Sequence, residues 1–102
     1  MILQGEIRGF DLGGYHLTVV VISSDRFNRH AAPIVAPIRR EGFTDHPPMM
    51  IALHEADSYK GVVDISDLGS APEGSLSEHP LATVIGDTMD RIRQAVKDIV
   101  DD

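Results

Sequence analysis

The chain has 102 residues, no cysteine and a formal net charge of −7. This length suits a single domain, residues 1–102, and the lack of cysteine excludes a disulfide framework, a thiolate metal site and a thiol nucleophile. No apolar run approaches the roughly 20 residues that cross a bilayer. The first ten residues, MILQGEIRGF, do not have the layout of a signal peptide. We therefore expect a cytoplasmic protein without a membrane segment.

The acidic charge lies entirely in the second half of the chain. Five arginines balance five acids in residues 1–46, whereas residues 47–102 carry eleven acids against four bases. Non-specific binding of nucleic acid depends on a positive field, which the chain as a whole does not provide. A small site built on the arginines of the first half remains possible, and the excess acid is otherwise expected to keep the protein soluble.

The first predicted elements form a β-hairpin. Loose alternation in Met1–Leu12 predicts a strand of about six residues, and Gly13-Gly14 is typical of a tight turn because glycine tolerates positive φ. The strand that follows, Tyr15–Ser23, contains the β-branched run TVVVI, whose stiff side chains favour a pleated strand. Since this run does not alternate with polar residues, we expect both of its faces to be covered.

A polar connector leads from this strand to a third one. Ser23–Asn28 combines a capping serine with an aspartate and predicts one helical turn. The basic residues Arg29 and His30 follow and are expected in an ordinary solvated loop. Pro33–Arg39 is a short apolar run with prolines near both ends, so it predicts an edge or bulged strand.

The second half predicts short strands separated by loops. The strand candidates are Met49–Leu53, Gly61–Ile65 and Ala82–Ile85. Loops are expected at Glu41–Pro48, at His54–Gly61 and across Asp67–Pro80, which is rich in glycine, serine and proline.

One clear helix closes the chain, with Asp87 as its predicted N-cap. Apolar residues recur at steps of three and four and form one stripe, which consists of Met89, Ile92, Val96 and Ile99. Short strands followed by one helix predict a small barrel-like β-fold on which the helix packs.

Several catalytic and metal-binding motifs do not fit the sequence. His54-Glu55 resembles the start of a zinc-protease motif, but Ser58 stands where the second histidine is required. The five histidines have no ligand spacing, and neither a phosphate-binding loop nor a nucleophile elbow is present. We therefore expect no metal site and no cofactor.

The order of segments in the first half carries a resemblance. Gly5-Glu6-Ile7 comes first, Asp11-Leu12 and the valine-rich strand follow, and Ser24–Asn28 leads into Ile34–Ile38. In this order the segments resemble the MazF/PemK family of toxin ribonucleases, and the helix from Asp87 also fits that family.

The resemblance implies a fold, an activity and partners. The fold would be mainly β (α+β): a small SH3-like or CcdB-like β-barrel of five to six strands with a C-terminal α-helix. The function would be that of the toxin in a type II toxin–antitoxin system, a metal-independent endoribonuclease that cleaves single-stranded RNA. The partners would be a second copy of the chain in a homodimer and a cognate antitoxin that blocks the site.

The resemblance also aligns this chain with the family's catalytic positions. The family's catalytic arginine lies in an Arg-Pro pair that aligns with Leu17-Thr18, one step after His16. The family's catalytic threonine aligns with Arg39. The residues that carry catalysis would therefore differ from those of the family.

Cleavage through attack of the RNA 2′-OH needs an acid, a base and cations for the phosphate. Histidine exchanges protons near neutral pH, and arginine binds phosphate bidentately. If the second and third strands pair antiparallel, His16 and Arg39 lie at one rim. We therefore predict His16 and Arg39 as catalytic residues. We also predict three RNA-binding residues, which are Arg40, Thr18 and Tyr15.

Two alternatives remain open from the sequence. In the first, His16 is a partly buried histidine at a strand end, and the arginines pair with Glu41 or Asp45. In the second, the chain is a non-catalytic interaction protein. The short hairpin and the Tyr-x-Leu start of the second strand resemble CcdB, the gyrase-poisoning branch of the same fold. Such a protein would bind a topoisomerase or an antitoxin through an edge strand or a groove.

Overall fold

The structure is a computed structural model that describes residues 1–40 and 49–100. Its seven strands are β1 (Glu6–Leu12), β2 (Tyr15–Val21), β3 (Ile34–Arg39), β4 (Met50–Ala52), β5 (Val62–Asp64), β6 (Gly69–Ser70) and β7 (Ala82–Thr83). Its two helices are α1 (Asp25–Asn28) and α2 (Gly86–Val100), and short 3₁₀ turns cover Glu55–Asp57 and Ile65–Asp67. Within the described ranges, no helix has the length and apolar character needed to cross a membrane.

The predicted hairpin of β1 and β2 is confirmed. The two strands pair antiparallel from Leu12 opposite Tyr15 to Ile7 opposite Val20. Gly13 and Gly14 form the two-residue turn, with φ angles of 60° and 84°. Two consecutive positive φ angles match the twist of the flanking strands, which explains why glycine stands at both positions.

The sheet is antiparallel, with strand order β4-β5-β3-β2-β1-β7, and β6 also pairs with β3. The prediction of an edge strand is wrong for β3, because β3 lies between β2 on one side and β5 and β6 on the other. On that second side the β6 ladder ends at Val35 and the β5 ladder begins at Ile38. Pro37 stands between the two ladders, so its missing N–H is tolerated in an inner strand.

Both faces of the central strands are covered, as the uninterrupted apolar run of β2 predicts. One face carries Ile7, Val20 and Val63, which form a core with Met89 and Ile92 of α2. The other face carries a smaller cluster that consists of Val19, Val21, Val35 and Ala71. The sheet therefore separates two apolar layers, and the predicted mainly β fold with a C-terminal helix is confirmed.

Helix α2 differs in detail from its predicted form. It begins at Gly86, so Asp87 lies in its first turn and is not the N-cap. Its buried residues are Thr88, Met89, Ile92 and Ala95, whereas Ile99 of the predicted stripe is about half exposed. Ile99 is exposed because it lies in the last turn of α2, beyond the turns that contribute buried residues.

The predicted connector and loops have different outcomes. The helical turn at Ser23–Asn28 is confirmed as α1, where the Ser24 side chain accepts a hydrogen bond from the Phe27 N–H. The segment 67–80, predicted as a loop, contains β6 and a bridge between Phe10 and Leu76. The predicted loop Glu41–Pro48 lies outside the described residues.

Candidate functional site

The beginning of β2 and the end of β3 meet at one rim of the sheet, as predicted. The ladder between them covers three pairs, from Val21 opposite Val35 to Val19 opposite Pro37. Past Pro37, β3 pairs with β5 instead. One face of these strands lines a cleft of about 200 Å³ together with residues 67–70; the lining residues are Phe10, Tyr15, Leu17, Val19, Val35, Pro37, Asp67, Gly69 and Ser70.

Arg39 lies beside this cleft and contacts two carboxylates. Its Nε–H donates to Asp64 Oδ2 at 3.3 Å, and its Nη2 donates to Asp67 Oδ2 at 2.8 Å. Asp64 is buried, and its other oxygen accepts hydrogen bonds from the N–H and the hydroxyl of Ser66. Asp67 lines the cleft, and its side chain is 65% exposed. One guanidinium therefore contacts two acids, whose combined charge exceeds its own.

The contacts of Arg39 can be set against the alternative in which the arginines pair with Glu41 or Asp45. Glu41 and Asp45 lie outside the described residues. The acids that the structure places against Arg39 come from β5 and the 3₁₀ turn after it, 25 and 28 residues further along the chain. Arg40 follows β3 directly and is exposed.

His16 is an exposed histidine with a carboxylate neighbour. Its side chain is 72% exposed, which argues against the alternative of a partly buried strand-end histidine. Its Nδ1 lies 3.5 Å from Asp11 Oδ2, and the two residues stand opposite each other in the β1–β2 ladder. The distance is longer than that of a typical hydrogen bond, so Asp11 acts on the ring through its charge.

The predicted site residues do not all lie on the same face of the sheet. Side chains of a strand alternate between its faces, so Tyr15 shares a face with Leu17 and Val19, and His16 shares the opposite face with Thr18. The register of Val19 opposite Pro37 places Arg39 on the face of Tyr15. His16 and Arg39 therefore lie on opposite faces of the sheet.

Thr18 and Tyr15 have different surroundings. The hydroxyl of Tyr59 donates to Thr18 Oγ1 at 3.0 Å, so Thr18 holds Tyr59 against the core that lies next to α2. Tyr15 is 61% exposed and borders the cleft beside Asp67. An exposed aromatic ring on a cleft wall is suited to stacking on a nucleobase.

The other basic residues of the first half lie elsewhere. Arg29 and His30 line a separate cleft of about 650 Å³, next to Ala71 and Glu73. This cleft adjoins α1, at the end of β2 that is opposite the rim. Among the residues in the two described ranges, no group of three or more acids and histidines has an arrangement that could hold a metal ion.

The structure adds three acids that were not among the predicted site residues. Asp11 could have been found from the sequence, because a two-residue turn at Gly13-Gly14 places it opposite His16. Asp64 and Asp67 carry no such local signal. Their contact with Arg39 depends on the pairing of β3 with β5, which is a long-range register.

The family model described as PemK-like, MazF-like toxin of type II toxin-antitoxin system matches residues 4–100. The chain belongs to this toxin family. The match confirms the resemblance seen in the first 40 residues and extends it through α2. It also favours the predicted toxin of a type II system over the CcdB-like alternative.

Solved structures agree with this toxin-family fold. A mycobacterial endoribonuclease in complex with its cognate antitoxin is 22% identical, with a TM-score of 0.86, and the match covers 98% of this chain and 95% of that chain. A MazE–MazF structure from Deinococcus radiodurans is 17% identical, with a TM-score of 0.80 and the same coverage. A further endoribonuclease from a mycobacterial species is 23% identical, with a TM-score of 0.79, and the match covers 97% of this chain and 90% of that chain. No curated protein sequence matches the chain.

Proposed function

We propose that this chain is the toxin of a type II toxin–antitoxin system and that it cleaves single-stranded RNA without a metal ion. The family match over residues 4–100 carries the proposal. Structures of similar fold that are named endoribonucleases support it. The whole chain, residues 1–102, acts as one toxin domain in this proposal.

In this proposal the RNA crosses the rim where β2 begins and β3 ends. Tyr15 stacks on one base in the cleft, and Arg39 contacts a phosphate beside it. Arg40 adds positive charge directly after β3. Thr18 acts indirectly, because it holds Tyr59 in place by accepting a hydrogen bond from the Tyr59 hydroxyl. An RNA strand that passes over the rim contacts both faces of the sheet, so His16 and Arg39 need not lie on the same face.

The proposed reaction transfers the phosphate within the RNA. The 2′-oxygen forms a bond to phosphorus while the bond from phosphorus to the 5′-oxygen breaks. One proton leaves the 2′-OH and one proton reaches the 5′-oxygen, so the products are a 2′,3′-cyclic phosphate and a 5′-OH. We assign one of these proton transfers to His16, assisted by the charge of Asp11, and the stabilisation of the phosphate charge to Arg39.

The proposal includes two protein partners and a place of action. An antitoxin covers the rim, in keeping with the antitoxin present in the similar mycobacterial structure. Two copies of the chain form a homodimer because a domain this small gains core by pairing, and the exposed apolar residues Leu12 and Leu68 offer a surface for it. The toxin acts in the cytoplasm, where its RNA substrate is. A monomeric mass in light scattering at micromolar concentration would contradict the homodimer.

The test is incubation of the purified protein with a long single-stranded RNA in EDTA. Wild type should give discrete fragments, and both His16→Ala and Arg39→Ala should lose them. His30→Ala is the matched control, because His30 lies at the opposite end of β2, and it should cleave like wild type. Intact RNA with wild type would overturn the ribonuclease proposal. Cleavage by both site variants would show that the chemistry lies elsewhere.

A further inference from the structure

The two acids on Arg39 differ in how firmly they are held. The side chain of Asp64 is 7% exposed and is fixed by the N–H and the hydroxyl of Ser66. Asp67 is 65% exposed, and its contact with Arg39 Nη2 is the one hydrogen bond that the described residues give its side chain. Asp64 is therefore an anchor for the guanidinium, whereas Asp67 can leave it at little cost.

The contact made by Asp67 is the one that a phosphate would make. The guanidinium is a planar fork that pairs with carboxylate and phosphate oxygens in the same geometry. Asp67 meets Nη2 at 2.8 Å and also lines the cleft beside Tyr15 and Ser70. Asp67 is thus both a partner of Arg39 and a wall of the cleft, while the buried Asp64 accepts from Nε.

We propose that Asp67 is a displaceable internal competitor for the RNA phosphate at Arg39, and that Asp64 is the fixed residue that positions Arg39 throughout. The proposal rests on the proposed function, since it assigns the ligand of the same rim. In the free protein Asp67 accepts the hydrogen bond from Arg39 Nη2. When an RNA phosphate takes that place, Asp67 turns to solvent and the Nε contact with Asp64 stays. No covalent bond changes in this exchange.

The first experiment measures binding of a fluorescent single-stranded 2′-O-methyl oligonucleotide by anisotropy. This probe lacks the 2′-OH and remains uncut. Asp67→Asn should bind it roughly two- to fivefold more tightly than wild type, because an exposed ion pair no longer competes. Asp98→Asn is the matched control: it removes the same charge from the exposed surface of α2, where Asp98 accepts a hydrogen bond from Gln94. It should bind within twofold of wild type.

A double-mutant cycle separates local competition from long-range repulsion. In the Arg39→Gln background, Asp67→Asn should give no further gain, because the guanidinium for which Asp67 competes has been removed. An equal gain with and without Arg39 would show that Asp67 acts only through its charge and would overturn the proposal. Equal affinities of wild type and Asp67→Asn would also overturn it.

RNA cleavage distinguishes failure of this inference from failure of the proposed function. If wild type cleaves RNA but Asp67→Asn binds no more tightly, the inference alone is wrong. If no variant cleaves RNA but Asp67→Asn gains affinity in an Arg39-dependent way, the ribonuclease proposal is wrong and the inference holds. If neither wild type nor Asp67→Asn binds the oligonucleotide, both are overturned. Asp67 is exposed, so Asp67→Asn should unfold at the same urea concentration as wild type.

Discussion

The fully buried carboxylate of Asp57 accepts a hydrogen bond from the hydroxyl of Thr88 at 2.8 Å. It also accepts from the backbone N–H of Ile85 at 2.7 Å and from that of His54 at 2.6 Å. A side chain from the 3₁₀ turn Glu55–Asp57 therefore satisfies donors at the beginning of α2, about 30 residues later. This contact ties α2 to the segment between β4 and β5.

Replacing Asp57 should destabilise the protein strongly. Asp57→Ala leaves three donors without their acceptor, two backbone N–H groups and the buried Thr88 hydroxyl, and each loss costs about 1 kcal/mol or more. We expect a loss of about 3 kcal/mol in the free energy of unfolding, measured by urea denaturation, and a fall in Tm on the order of 15 °C. Asp87→Ala, which removes an exposed acid of the first turn, should change the free energy by less than about 1 kcal/mol. Similar losses in both variants would contradict the role given to Asp57.

Gly61 should not tolerate a side chain. Its φ is +141°, and a Cβ atom there would lie 2.5 Å from Ile38 Cγ2 and 2.6 Å from the Arg39 carbonyl oxygen. Gly61→Ala should therefore cost about 2 kcal/mol or more and shift the end of β3 that carries Arg39. Gly69→Ala is the control, since nothing lies within 4 Å of its Cβ position. Thermal unfolding of both variants checks this, and an unchanged Tm for Gly61→Ala would refute it.

The buried ion pair of β1 should hold the segment after β6. Arg8 donates to Glu6 Oε1 at 2.9 Å and to the carbonyl oxygens of Ser77 and Glu78 at 2.7 and 3.0 Å. Arg8→Ala leaves the Glu6 carboxylate buried and unpaired, which costs about 3–5 kcal/mol. Urea denaturation should show this loss, and limited proteolysis should show faster cleavage near Ser77. Arg93→Ala, which breaks an exposed i,i+3 pair, should be nearly neutral in both measurements.

Asp11 should assist His16 in the proposed cleavage. His16→Ala should reduce kcat by about 10²- to 10⁴-fold, the usual contribution of a general acid or base. Asp11→Asn should reduce kcat by a smaller factor, roughly tenfold, with little change in KM, because the ring loses the neighbouring negative charge and the RNA contacts remain. Steady-state cleavage at a series of RNA concentrations checks this, because it gives kcat and KM separately. If Asp11→Asn has the same kcat as wild type, Asp11 does not assist His16.

Tyr15 should contribute binding through its ring rather than its hydroxyl. Stacking of one base on an aromatic ring is worth about 1–3 kcal/mol, so Tyr15→Ala should weaken binding of a 2′-O-methyl oligonucleotide by roughly 5- to 150-fold. Tyr15→Phe keeps the ring and should bind like wild type. Equal affinity of Tyr15→Ala and wild type would remove Tyr15 from the RNA-binding surface.

The sequence predicted best where neighbours along the chain decide the structure. Gly13-Gly14 fixed the turn and with it the pairing of Leu12 with Tyr15, because few turns suit a two-residue hairpin. Ser24 capped α1 as expected, through a hydrogen bond to the Phe27 N–H. These contacts span at most four residues, so local residue types determine them.

Predictions failed where a segment distant in sequence determines the pairing, capping or burial of a residue. Pro37 indicated an edge strand, but the offset between the β5 and β6 ladders gives it a place inside the sheet. Asp87 was the expected N-cap, but Asp57 supplies an acceptor at that end of α2 and the helix begins at Gly86. Ile99 fitted the apolar stripe, but it remains about half exposed because the sheet covers only the first part of α2.

The sequence by itself indicated the family, through a resemblance over its first 40 residues, and the mainly β fold. The order of its apolar runs and turns also placed the beginning of β2 and the end of β3 at one rim. Only the tertiary structure decided the environment of each side chain at that rim. The pleat places His16 and Arg39 on opposite faces, and the pairing of β3 with β5 brings Asp64 and Asp67 to Arg39. A contact over 25 residues depends on register, and register is fixed by the burial of whole strands rather than by local residue types.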